Sequence, residues 1–64
     1  MKISERIFKI MDEKNITQKE LARAIGTGQS TISDWKTKGT DPLAKNIMPI
    51  CKFLECTPYD ILED

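Results

Sequence analysis

The chain has 64 residues, ten lysines and arginines against ten aspartates and glutamates, and no histidine. A chain this short makes one domain that buries only about 60% of its unfolded surface, so it needs an efficient helical core or covalent staples. Without histidine or CxxC a zinc site has little to draw on, and with no paired carboxylates in a foreseeable pocket no nucleophile–base set is found, which makes an enzyme the least expected class.

The first segment, MKISERIFKI, is amphipathic rather than signal-like. No stretch approaches the run of about twenty apolar residues that a membrane span needs, and the cytoplasm is the expected compartment. Ser4 is placed to cap helix 1, with Glu5 in the first turn, where a negative charge suits the helix dipole. Ile3, Ile7, Ile10 and Met11 fall at i, i+4, i+7 and i+8, so helix 1 lies on the core through about Lys14. Asn15 suits a helix stop, and Ile16 precedes the next cap as a hydrophobic staple does.

Thr17-Gln18-Lys19-Glu20 reads as a capping box. The threonine hydroxyl takes one orphan N–H and the glutamate carboxylate reaches back to another, which fixes the start of helix 2 at Gln18. Leu21, Ala22 and Ile25 give that helix its apolar side. Ala22 sits where two helices crossing at a short turn come closest, and a side chain larger than a methyl there would wedge them apart. Gly26 supplies the positive φ that lets the chain reverse at once. Thr27 or Gly28 caps helix 3, which runs to about Lys36 with Ile32 and Trp35 on the core and Gln29, Ser30, Ser33 and Asp34 as a polar stripe. Two short amphipathic segments joined by a glycine-containing turn, Gln18 to Thr37, are the signature of a helix-turn-helix. The following loop carries Lys36, Thr37, Lys38, flexible Gly39 and Thr40.

Asp41-Pro42 resembles a cap followed by a first-position proline, but Pro49 would break a helix running straight on from there. The pattern predicts a short turn over Pro42 to Lys45, then Asn46 capping a helix 4 of roughly 47 to 55, with Pro49 in its first turn. Ile47, Ile50, Cys51 and Leu54 form its buried stripe. Thr57-Pro58-Tyr59-Asp60 restarts the chain as helix 5 with a cap, a proline and an acid at the third position. Its apolar pair, Ile61 and Leu62, closes the core or lies at a subunit contact. Cys51 and Cys56 are five apart, about 500° around a helix, so their side chains should point apart as two free buried thiols.

Charge is unevenly spread. All ten bases lie in residues 1–54 against six acids, whereas the last ten residues hold Glu55, Asp60, Glu63 and Asp64 and no base. A weakly basic face with an acidic end turned away from it is one reading, and an ordinary solvated surface is the other.

The stretch from Thr17 to Trp35 resembles the Cro and phage-repressor (XRE) family, whose pattern is TQxELAxxxG followed by QSTIxxW. Thr17, Gln18, Glu20, Leu21, Ala22, Gly26, Gln29, Ser30, Thr31, Ile32 and Trp35 stand in those places. Pro42, Ile47, Ile50, Cys51, Lys52, Phe53, Leu54, Thr57, Ile61 and Leu62 are similar to its closing pattern, so the resemblance covers nearly the whole chain. It implies an all-α fold, a compact five-helix lambda-repressor-like domain, and a sequence-specific double-stranded DNA-binding regulator without cofactors. A repressor on a palindromic operator is the expected form, working as a homodimer with helix 3 in the major groove. Helix 5 and the acidic end could hold the pair together, or it forms only on DNA.

Gly28, Gln29, Ser30, Ser33 and Asp34 are then the candidate base readers. Gln29 leads them because its amide can pair bidentately with adenine. Asp34 either accepts from cytosine or pairs with Lys36 or Lys38. Thr17, Gln18, Thr31, Lys36, Thr37, Lys38 and Thr40 are the candidate phosphate contacts; the resemblance implies that Gln18 also braces the recognition helix. The chain departs from the family at Met11 and Lys36, where an arginine–glutamate pair is common, and at Glu55, where glycine is preferred. Met11 should join the core, Lys36 is released for a phosphate, and helix 4 should end less cleanly. Two other readings stay open: an antitoxin whose second face meets a toxin, and a helical protein-interaction module without DNA binding.

Overall fold

The computed structural model describes residues 2–62, and these form five helices: α1 (Ile3–Lys14), α2 (Gln18–Ile25), α3 (Gln29–Thr37), α4 (Ala44–Leu54) and α5 (Pro58–Leu62). Glu63 and Asp64 of the acidic end lie outside the described residues. One core joins all five helices, with Ile7, Leu21, Ile32, Ile50, Leu54 and Ile61 sealed from solvent. The backbone of α3 approaches α1 and α2 but not α4 or α5, which it meets only through the core side chains Ile32 and Trp35, so its polar side is left open.

Three helices end in the same way. Asn15, Gly26 and Glu55 adopt left-handed φ of 57°, 72° and 55°. The residue after each donates back to the helix: Ile16 to Met11 at 2.9 Å, Thr27 to Ala22 at 3.0 Å and Cys56 to Cys51 at 3.0 Å. Such Schellman turns satisfy carbonyls that would otherwise be orphaned at the helix end. Glu55 makes this turn without being glycine, so α4 ends as cleanly as α2 and the expected loose end is absent. A β-carbon at such φ is held at a penalty of roughly 1–2 kcal/mol.

The capping box of α2 is formed in both directions. Glu20 N–H donates to Thr17 Oγ1 at 3.1 Å, and Thr17 N–H donates to Glu20 Oε1 at 2.9 Å. At α5 the Thr57 N–H donates to Asp60 Oδ2 at 2.8 Å, tying down a helix of five residues. Ile61 closes the core, whereas Leu62 is half-exposed.

Three further expectations fail, each for a physical reason. Ser4 does not cap α1: the helix starts two residues earlier, behind Lys2, and Ser4 falls on the buried stripe with Ile7 and Met11. Asn46 does not cap α4, which begins at Ala44 behind Leu43, held extended at φ −64° and ψ 148°. Asn46 is instead the third helical residue, its N–H donating to Leu43 O at 2.9 Å in a tight first turn. Pro49 therefore stands in the second turn, where the helix forgoes the bond to the Lys45 carbonyl and continues. Finally, the thiols do not point apart. The left-handed residue at Glu55 ends the helix before Cys56 and brings its N–H to the Cys51 carbonyl, which sets the Cys56 thiol beside Cys51.

Candidate nucleic-acid interface

At 100° per residue, Gln29, Ser33, Thr37, Ser30 and Asp34 occupy an arc of about 140° on α3. That arc lies opposite Ile32 and Trp35, which are 0% and 4% exposed. Gln29 and Ser30 are exposed at the helix N-terminus, while Ser33 and Asp34 are half-buried along the same side. Gly28 precedes the helix in extended conformation and offers no side-chain cap. Of the first-turn N–H groups, that of Thr31 donates to the Gly28 carbonyl at 3.1 Å, and no capping side chain covers those of Gln29 and Ser30.

Around this arc the expected phosphate ligands differ in what they have left to give. The Thr17 hydroxyl accepts from the Glu20 N–H, and its proton serves the Glu20 carboxylate until an outside acceptor takes it. Thr37 is the opposite case, since its hydroxyl donates to the Ser33 carbonyl at 3.0 Å. Gln18, the first residue of α2, is half-buried. Thr31 lies on the flank of α3 in a groove shared with Trp35, Asp41 and Lys45.

The lysines are spread over several elements. Lys38 Nζ lies 3.8 Å from Asp34 Oδ1, with side chains 68% and 48% exposed. A pair this open adds no more than about 1 kcal/mol and yields readily to a stronger partner. Lys36 does not stand alone in place of the absent glutamate: its Nζ sits over the Phe8 ring, 5.7 Å from the centroid. Thr40 is exposed in the loop, where Gly39 adopts φ +66°.

Two basic residues in this region escaped sequence reasoning. Lys2 reaches across to the loop after α3, its Nζ 3.2 Å from where a Gly39 β-carbon would stand. Lys45 faces Thr31 across the groove, in the first turn of α4. No local signal marks Lys2, because the contact joins residues far apart in sequence. The early start of α4 is the signal for Lys45, and it is hidden because Leu43 begins the helix without a capping side chain.

Among the described residues no helix is long and apolar enough to cross a membrane, and no group of three or more histidine, cysteine or acidic side chains could hold a metal ion.

A glycine-closed helix-turn-helix whose second helix leaves its polar arc uncovered defines a DNA-binding domain of the five-helix repressor class. The chain belongs to the Cro/C1-type HTH DNA-binding domain family, whose model matches residues 6–64. It is 33% identical over 60 residues to the HTH-type transcriptional regulator DicA of Escherichia coli K12, covering 94% of this chain and 44% of that protein. It is 30% identical over 61 residues to repressor protein C2 of Salmonella phage P22, covering 95% of this chain and 28% of that protein. The chain thus spans less than half the length of either relative. The crystal structure of the P22 c2 repressor in complex with a synthetic operator is similar at a TM-score of 0.82 and 29% identity, over 100% of this chain and 98% of that one. The family is defined by DNA binding rather than by a reaction.

Proposed function

We propose that this chain is a sequence-specific transcriptional repressor that occupies a palindromic operator as a homodimer, one α3 entering the major groove in each half-site. The observation that carries the reading is the uncovered polar arc of α3 opposite Ile32 and Trp35. Its likeness to a repressor bound to operator DNA supports the same use of that helix.

Within the arc, Gln29 is the principal reader, with Ser30, Ser33 and the Gly28 backbone beside it. Asp34 reads cytosine only if Lys38 turns from it to a phosphate, so the pair acts as one exchangeable unit. Thr17 and Gln18 hold the backbone on one side of α3, while Thr31, Thr40 and Lys38 hold it beyond the helix. Lys45 and Lys2 add charge to this second side. Lys36 has to leave Phe8 to join them, and Thr37 has to give up its bond to Ser33, so both contribute less. A single domain makes few contacts, and a pair spaced about 34 Å doubles them.

Titration of arbitrary duplex against salt and selection of bound duplexes from a random pool test the proposal together. Affinity that falls steeply with salt, and selected sites with inverted half-sites about one helical turn apart, are expected. A protein-interaction module would bind no duplex even in dilute buffer, and selected sites without symmetry would remove the dimer. Asp34→Asn should release Lys38 and raise affinity for random duplex a few-fold; unchanged affinity would show that the pair does not govern backbone contact.

A further inference from the structure

The end of α4 places two thiols together. Cys56 N–H donates to the Cys51 carbonyl at 3.0 Å, and Glu55 N–H donates to the Lys52 carbonyl at 3.4 Å. In this turn the residue after the left-handed position folds back over the helix end, normally in an apolar contact. Here both contact positions are cysteine, and both thiols are free. A backbone bond of this length holds the two Cα atoms within the roughly 4.4–6.8 Å that a disulfide spans. The two thiols also differ in access: Cys51 is 2% exposed, whereas Cys56 is half-buried in a groove between α1 and α5. One can be reached from solvent, and the other stands behind it.

We propose that Cys51 and Cys56 are a modification site, a dithiol that closes to an intramolecular disulfide by exchange with a small-molecule disulfide of the glutathione class. The Cys56 thiolate attacks one sulfur of the oxidant, forming a mixed disulfide and releasing one glutathione thiolate. The Cys51 thiolate then attacks the Cys56 sulfur, closing the protein disulfide and releasing the second. Two protein thiols lose two protons and two electrons, and the oxidant is reduced to two glutathione molecules. Excess thiol reverses both steps.

The surroundings make this exchange slow. Burial first, then the Cys51 charge and a hydrogen bond with Cys51, push the Cys56 thiol up to about 11; Asp60 adds to the rise and Lys14 opposes it. Arg6, Lys9 and Glu13 of α1 and Glu55 line the same groove. Below that value the thiolate fraction, and with it the rate, rises about tenfold per pH unit. The backbone of α3 approaches neither α4 nor α5, so closure stiffens the corner between those two helices and leaves the arc from Gln29 to Thr37 in place.

The test is to incubate the folded, reduced chain with excess oxidised glutathione between pH 7 and 9, quench in acid and measure the intact mass. The expected product is monomeric, lighter by two hydrogens, restored by excess dithiothreitol, and formed about tenfold faster per pH unit. Cys51→Ala should stop as a glutathione adduct on Cys56, and Cys56→Ser should stay unmodified while folded. A stable adduct on the wild type, a disulfide-linked dimer, a chain that stays reduced, or equal reactivity of Cys56→Ser would overturn the proposal. If Cys51→Ala proves unfolded by circular dichroism, the wild-type mass alone decides.

Discussion

The turn that closes α2 and the turn that closes α4 have nearly the same backbone. Gly26 and Glu55 sit at φ 72° and 55°, and the residue after each donates 3.0 Å back to the helix. They differ in what made the geometry necessary. After α2 the reversal must be immediate, because α3 has to pack straight back on α2, where Ala22 is buried, with its polar arc outward; glycine reaches that φ without strain. After α4 a glutamate takes the same φ because α5 has to return along α1 for Ile61 to close the core. One turn relies on the conformational preference of its residue, and the other is imposed by packing at a distance.

Substitutions at and around the two turns should therefore behave differently. Ala22→Leu, inserting bulk at a buried position of α2, should destabilise by about 1–3 kcal/mol in urea unfolding, because overpacking a filled core forces side chains off their rotamers. Gly26→Ala should lose roughly 1–2 kcal/mol. An added β-carbon there meets nothing within 4 Å, so the loss comes from φ alone. Glu55→Gly should move the other way, raising stability by about 1 kcal/mol. A loss of stability at Glu55→Gly would mean that the glutamate holds its turn without strain.

The smallest effect belongs to the capping box. The Thr17 N–H, and then its hydroxyl, hold the Glu20 carboxyl below its ordinary 4.5. A depressed folded value gives stability that is full above the unfolded value and lost as pH falls through the folded one. The difference in Tm between wild type and Glu20→Gln should thus be present at neutral pH and close on acidification below 4.5. No gap at neutral pH would assign the cap to Thr17 alone.

The contrast also explains which parts of the structure could be read from residues. The capping box, Ala22, Gly26, Ile32 and Trp35 are local signals at fixed spacing, so α2, α3 and the direction of the polar arc follow from them. Ser4 looked like a cap because serine commonly is one, and only the packing of α1 shows that its position faces inward. α4 could not be delimited, because Leu43 starts it without a capping side chain and Pro49 is tolerated within it. The meeting of Cys51 and Cys56 depends on the φ of Glu55, which no residue preference announces. Lys2 beside Gly39 and Lys36 over Phe8 join residues distant in sequence and are invisible to periodicity.

The repressor reading depends on the arc of α3 distinguishing one base pair from another. The most direct measurement is the affinity of Gln29→Ala for the selected operator and for random duplex, side by side at one salt concentration. A loss of about 1–3 kcal/mol on the operator with random duplex unchanged is the predicted result. Equal losses on both, or none on either, would contradict base reading by this helix.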